Sequence, residues 1–266
     1  MTRVQEAVIL ARGLGTRMRA AGPALDAATA AVADTGVKAL IPFARPFLDY
    51  VLHDLAEAGI RRAVVVIGPE HEAMRDYCRT LATSRLEVAL CVQERARGTA
   101  DAVLSAAGAV GGSFLAINGD NRYPPDALRA LAERGAPALV GFLRSGLLRG
   151  NIPPARIGRF AAISSGADGM LQGIIEKPSA EQLAQCGSDP ALSMNCWAFD
   201  ERIFAACRQV VPSVRGELEL PDAVALLVAG GTRFAIVPCR EAVLDLSSRE
   251  DIGPVRAALA GVAVRL

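Results

Sequence analysis

Residues 4–18 read VQEAVILARGLGTRM. The first eight form a short apolar run without alternation, the pattern of a strand buried on both faces of a parallel sheet. The run ends in a turn where Gly13 and Gly15 flank Leu14, followed by Thr16 and Arg17. Glycine permits positive φ and close approach, so the amides of such a turn can converge on phosphate oxygens. Arg17 adds a planar, permanently charged donor. Two familiar phosphate motifs do not match. No Gly-Lys-Ser/Thr follows at the spacing of a Walker A loop. Met18 stands where a dinucleotide fingerprint needs its third glycine. A bare Gly-x-Gly pair is equally compatible with a plain tight turn.

Working outward, the texture repeats. Residues 62–67, 86–92, 113–117 and 138–143 read as strands, and 46–58, 70–81, 99–107 and 126–134 as helices. Phe47, Tyr50, Val51 and Leu55 show the helical spacing. This alternation predicts an α/β fold: a doubly wound, mostly parallel, Rossmann-like mixed sheet. Ligands of such sheets bind beyond the carboxyl ends of the strands. From about Gly146 the pattern changes. Residues 157–164 and 170–175 read as strands around the turn Gly166-Ala167-Asp168-Gly169. Residues 192–199 and 232–238 read as later strands, and 201–209, 221–229 and 248–259 as helices. This half predicts the rest of the sheet and a small β-rich substrate lobe.

Composition narrows the class. With 266 residues, 29 basic and 28 acidic side chains and a net charge of +1, no global field recruits nucleic acid or anionic lipid. No run of about 18 apolar residues is present to span a membrane, and the first residues do not read as a secretory signal. The six cysteines are scattered without a CxxC pair, which predicts reduced core thiols and a cytoplasmic chain. Only two of the basic residues are lysine, Lys38 and Lys177. A compact ammonium differs from a guanidinium fork, so lysines kept in an arginine-rich chain are candidates for specific tasks. Chance survival is the plain alternative.

With its flanks, the turn resembles the first motif of the sugar-phosphate nucleotidylyltransferases, LAGGxGTRL followed by K-x-L-x-P and a K-P pair. Here Lys38-Ala39-Leu40-Ile41-Pro42 and Arg45-Pro46 stand in the second part, with arginine at the usual lysine. The likeness continues in order. Gln93 with Gly98-Thr99-Ala100-Asp101 resembles the base-binding segment, Asn118-Gly119-Asp120-Asn121 the metal-binding GD motif, and Glu176-Lys177-Pro178 the EKP motif. Met194-Asn195-Cys196-Trp197 resembles a sugar-contacting strand. Arg215 to Asp222, RGELELPD, is similar to the RGELEITD stretch of glucose-1-phosphate thymidylyltransferases. Asp245 lies where a W-x-D-x-G segment supplies a second metal carboxylate. Both lysines fall on family lysine positions.

The resemblance implies a nucleotidyltransferase of residues 1–266, with a nucleotide-binding half to about 145 and a sugar-phosphate-binding half after it. It implies transfer from a nucleoside triphosphate (dTTP or UTP favoured) to a sugar 1-phosphate, glucose 1-phosphate by default, with Mg²⁺ or another divalent cation. Arg17, Lys38, Asp120 and Lys177 would be catalytic. Leu10, Ala11, Gly13, Gly15, Thr16, Gln93, Gly98 and Thr99 would hold the nucleotide, and Gly158, Glu176, Lys177 and Asn195 the sugar. Asp120 and Asp245 would hold the metal, although Asp245 also suits an N-cap turn before the last helix. Two alternatives stay open: a weak or inactive nucleotide-sugar-binding module, and transfer to a non-sugar phosphate.

Two departures stand out. Arg12 replaces the small residue before the turn's first shared glycine, where it could add charge or crowd the nucleotide. Lys38 lies much further behind Arg17 than in the family. The intervening residues 20–35 show helical spacing at Leu25, Ala28 and Val32. A lid helix, a homo-oligomer contact and a flexible insertion are all open to them. No hexapeptide repeat is visible, so a second, acyltransferase activity is not expected. His53 and His71 fall on predicted helices without sequence partners and read as fillers.

Overall fold

The computed structural model describes residues 3–266. Twelve strands occur among them: β1 Glu6–Leu10, β2 Arg62–Ile67, β3 Glu87–Val92, β4 Phe114–Asn118, β5 Asn121–Arg122, β6 Ala138–Leu143, β7 Ala162–Ser165, β8 Leu171–Ile175, β9 Ala191–Leu192, β10 Trp197–Phe199, β11 Ala235–Cys239 and β12 Leu244–Asp245. Ten form one sheet in the order β3-β2-β1-β4-β10-β6-β9-β7-β8, with β11 also on β6. The first four run parallel, while β10 enters antiparallel between β4 and β6. The β-rich region expected after Gly146 continues this same sheet, antiparallel through β10, β9, β7 and β8 and parallel at β11, while β12 pairs with β5 in a separate two-stranded sheet.

The parallel strands form where apolar runs can be buried on both faces. Ile9, Val65 and Ile117 face one core, and Val8, Val64, Val66 and Ala116 the other. The single tryptophan, Trp197, is fully buried on β10. Its ring stacks on Phe199 at 5.6 Å and meets Phe234 edge-on at 6.3 Å. Such aromatic burial contributes strongly to a core and leaves Trp197 no part in a surface site.

Two predicted elements differ. The single strand expected over 192–199 is two short ones, β9 and β10, both antiparallel to β6. Between them the chain bulges, with Asn195 at φ 54°, a left-handed conformation that asparagine tolerates. The strand expected from residue 157 starts only at Ala162, because Pro153 and Pro154 open a short helix, Pro154–Ile157. The insertion contains a docked helix, Ala27–Thr35. Asp26 caps it by accepting from the Thr29 amide at 2.9 Å, and Gly36 ends it in the left-handed region. Arg249 pairs with Asp34, and Arg256 with Asp26, so the C-terminal segment holds this helix in place. No described helix is long and apolar enough to cross a membrane.

Candidate active site

A cavity of about 290 Å³ opens beyond the carboxyl ends of β1, β3 and β4. Of the residues singled out from sequence, Leu10, Ala11, Gly13, Lys38, Gln93, Gly98, Thr99, Asp120 and Asn195 line it. The strand ends bring Leu10, Gln93 and Asp120 to one rim, and the bulge after β9 brings Asn195 across from the other half. Gly15, Thr16 and Arg17 do not line the cavity. Gly15 caps the short helix Thr16–Arg19, and Arg17 is exposed without an ion pair among the described residues.

Lys38 and Asp120 meet despite lying far apart in sequence. The lysine Nζ donates to Asp120 Oδ2, with side chains 14% and 23% exposed. The insertion therefore does not displace Lys38 from the site. Asp120 follows β4 directly, and its backbone carbonyl accepts from the Leu246 amide at 2.9 Å, joining it to the Asp245 loop.

Asp245 is arranged differently. It is 5% exposed. Its Oδ1 accepts from Asn121 at 3.0 Å and Ser247 at 2.9 Å, and its Oδ2 pairs with Arg156 at 2.5 Å. Arg156 also forks onto Asp251, with both contacts at 3.1 Å. Burial, then the nearby Asp120 charge, raise the Asp245 carboxyl above its usual range against the pull of Ser247 and Arg156. Among the described residues no group of three or more His, Cys, Asp or Glu is placed to hold a metal. A hard divalent cation nevertheless needs only one or two protein carboxylates when phosphates supply the remaining oxygens. Asp120 fits that role, having one oxygen on Lys38 and the other without a donor among the described residues. Both Asp245 oxygens are engaged.

The wall on the β3 side is built by two segments. Gln93 is 3% exposed, and its Nε2 donates to the Gly98 carbonyl at 3.1 Å and to Asp101 at 2.8 Å. Gly98 has φ 113°, and a Cβ there would lie 2.4 Å from the Leu218 carbonyl oxygen. Its glycine is thus required by the close approach of the Leu218 backbone. The Leu218 amide donates to Arg97 at 2.6 Å, and the Leu220 amide to the Thr99 hydroxyl at 2.9 Å. The RGELEL stretch is thereby laid across the loop after β3, with Glu217 in the cavity wall.

Gly158, Glu176 and Lys177 do not line this cavity. Gly158 ends the helix Pro154–Ile157. Glu176 and Lys177 follow β8 on an exposed rim, with Lys177 at φ 45°. Desolvation on this crowded rim, then the Glu219 charge, raise the Glu176 carboxyl against the opposing pull of Arg215. Arg215 is itself paired with Glu219 at 2.5 Å.

Residues 6–259 match the family described as nucleotidyl transferase. The chain belongs to that family. Among curated relatives of this nucleotidyl transferase, a bifunctional protein GlmU from Rhodospirillum rubrum is 30% identical over 271 residues, covering 96% of this chain and 53% of the relative. A second GlmU, from Methanococcus vannielii, is 27% identical over 87% of this chain and 49% of its own length. A glucose-1-phosphate thymidylyltransferase from Streptomyces griseus is 29% identical over 85% of this chain and 58% of its own. The chain thus spans about half the length of these relatives. A solved UDP-glucose pyrophosphorylase with UDP-glucose shares the fold at TM-score 0.73 and 16% identity, over 96% of this chain and 98% of the other. HddC from Yersinia pseudotuberculosis shares it at 0.66 and 16%, over 96% and 100%.

Several wall residues of this nucleotidyl transferase escaped the sequence-based site. Asn118, Gly36 and Glu217 all line the cavity. Asn118 and Glu217 lay inside recognised motifs, so their signal was present. Gly36 carried none, since nothing local shows that the insertion ends at the phosphate turn. Arg45, read as a stand-in for the family lysine, instead pairs with the fully buried Asp49 at 2.6 Å. Histidine also finds partners here: His53 Nδ1 lies 3.2 Å from the Arg265 carbonyl, and His71 Nδ1 accepts from the Gly68 amide at 3.4 Å.

Proposed function

We propose that this nucleotidyl transferase moves a nucleotidyl group from UTP or dTTP to a sugar 1-phosphate, releasing pyrophosphate. The Lys38–Asp120 pair at the head of a glycine-rich turn carries this reading, because it puts a cation and a carboxylate where a triphosphate would lie. Glucose 1-phosphate is the default acceptor.

An oxygen of the sugar phosphate bonds to the α-phosphorus while the bond to the bridging oxygen breaks, and pyrophosphate leaves with that electron pair. No protein nucleophile is required. The chain's task is to align two anions and stabilise charge on the equatorial and leaving oxygens. Backbone amides around Gly13 and Gly15, with Arg17, grip the β- and γ-phosphates. Lys38 follows the α-phosphate as charge builds on it. Lys177 and Glu176 orient the acceptor from the opposite rim, and Asn195 reaches the site from its bulge. A divalent cation, most suitably Mg²⁺, would sit on Asp120 and supply Lewis-acid stabilisation of phosphate oxygens. Asp245, engaged by Arg156, would support it through Asn121.

Pyrophosphate release with Mg²⁺ across a matrix of triphosphates and phosphate acceptors tests the reading. Turnover with UTP or dTTP and a sugar 1-phosphate is expected. Turnover only with a polyol or amino-alcohol phosphate would move the acceptor class, and release with no pair would leave a binding module.

A further inference from the structure

Arg12 is the part of the phosphate turn that this mechanism leaves unused. It lines the cavity, yet its side chain is only 8% exposed. Nη2 pairs with Glu70 Oε2 at 3.2 Å, while Nε and Nη1 are buried and have no hydrogen-bond partner among the described residues. A guanidinium cannot lose its proton to escape burial. Buried N–H donors without acceptors destabilise the unliganded chain, so an acceptor that reaches them is bound with that cost removed.

The sheet says which part of a nucleotide that acceptor is. β1 lies between β2 and β4. Asp120 follows β4, whereas Arg12 crosses to the other flank and reaches Glu70 in the loop after β2. Gln93 follows β3 on that same flank, its backbone amide bonded to Ile67 at 2.8 Å. Arg12 and Gln93 therefore line the cavity on the β2–β3 flank, and Asp120 lines it on the β4 flank. Both partners of Gln93 Nε2 are acceptors, Gly98 O and Asp101 Oδ2, so the amide cannot be flipped. Its Oε1 is left as an acceptor. A donor beside an acceptor complements a carbonyl next to a ring N–H.

We propose that Arg12 is a base-selecting residue, which turns its guanidinium toward the cavity and donates to the O4 keto oxygen of the base while Gln93 Oε1 accepts from the adjacent ring N–H. The inference rests on the nucleotidyl-transfer reading above. Uracil and thymine carry this keto–imino edge. Cytosine presents an amino group beside a bare ring nitrogen, which would face donor with donor and acceptor with acceptor.

Calorimetric titration of the full chain with UTP, dTTP, CTP and ATP tests it. Wild type is expected to bind UTP at least about tenfold more tightly than CTP, as one charge-assisted hydrogen bond allows. Arg12→Ala should lose about tenfold for UTP and leave CTP unmoved, with Arg12→Lys recovering part of the difference. An unchanged UTP-to-CTP ratio in Arg12→Ala, or tighter binding of both, would overturn the proposal and make Arg12 a crowding residue. Should Arg12→Ala fail to fold, 2-thio- and 4-thio-UTP on wild type ask the same question, since sulfur accepts weakly. 4-thio-UTP must bind less well than UTP, with 2-thio-UTP as the control, and equal binding of 4-thio-UTP and UTP refutes the proposal. Binding of no triphosphate would overturn the nucleotide reading as well, whereas binding without base preference would overturn Arg12 alone.

Discussion

Gly15 and Gly36 meet backbone to backbone: a Cβ on Gly15 would lie 2.2 Å from the Gly36 carbonyl oxygen and 2.5 Å from its Cα. Both have positive φ, 62° and 78°. The insertion thus ends against the phosphate turn. Two residues later the chain delivers Lys38, whose amide donates to the Gly36 carbonyl at 2.9 Å. This contact explains how a lysine displaced along the sequence still reaches Asp120.

Gly15→Ala should therefore be costly. The left-handed backbone alone disfavours alanine by about 1 kcal/mol, and overlap with a backbone that cannot yield easily adds to it. A loss of about 2 kcal/mol or more is expected in urea unfolding, together with weaker triphosphate binding. Gly13→Ala is the control, since nothing lies within 4 Å of its would-be Cβ. Equal unfolding midpoints for the two variants would show that the Gly15–Gly36 contact constrains nothing.

What was legible in the sequence follows from how each feature is specified. RAVVVI at 62–67 and VILA at 8–11 declare buried parallel strands because both faces need apolar side chains, and their neighbours in the sheet do not alter that. The break between β9 and β10 is hidden, since Ser193 to Cys196 contains no glycine or proline and the bulge depends on pairing with β6. Asp120 could be read from a turn immediately after a strand. The tie between Asp245 and Arg156 could not, because an ion pair spanning 89 residues is set only by the folded loops. Gly98 shows the limit of motif reading: it lines the cavity, but the close approach that demands a glycine there is that of Leu218, which no local motif announces.

Asp120→Asn keeps the shape of the side chain and removes the charge facing Lys38. Under the proposed function, turnover should fall by about 10²–10³-fold or more, while the melting temperature stays near wild type because the residue is partly exposed. Lys38→Met should lower kcat more than triphosphate affinity, as expected for a group that acts when charge develops. Near-normal rates for Asp120→Asn with Mg²⁺ would remove Asp120 from the reacting centre.

Arg156 bridges two carboxylates, Asp245 and Asp251, that are 6% and 4% exposed. Arg156→Ala leaves both buried without their counter-charge, and breaking such a network costs about 3 kcal/mol. The variant should unfold at markedly lower urea concentration. Adding Asp245→Asn to it should restore part of the loss, since a neutral amide needs no counter-charge there. Independent, additive effects of the two substitutions would show that Arg156 and Asp245 do not act as a unit.

His71 offers a pH test of the Arg12 corner. Its imidazole is 7% exposed, and burial lowers its pKa below the ordinary value. Glu70 pulls it upward, while Arg12, Arg75 and Arg19 push it further down. The unfolded chain, titrating near 6.5, then takes up a proton before the folded chain does. The stability His71 contributes is fully present above about pH 6.5 and is lost as pH falls toward its folded pKa, with a slope of at most about 1.4 kcal/mol per pH unit. His53 and the carboxylates are common to wild type and His71→Gln, so the difference between them isolates this residue. Urea midpoints should converge for the two proteins as pH drops from 7.5 to 5.5, if His71→Gln begins less stable. Curves that fall in parallel across that interval would mean that His71 is not held neutral by its surroundings.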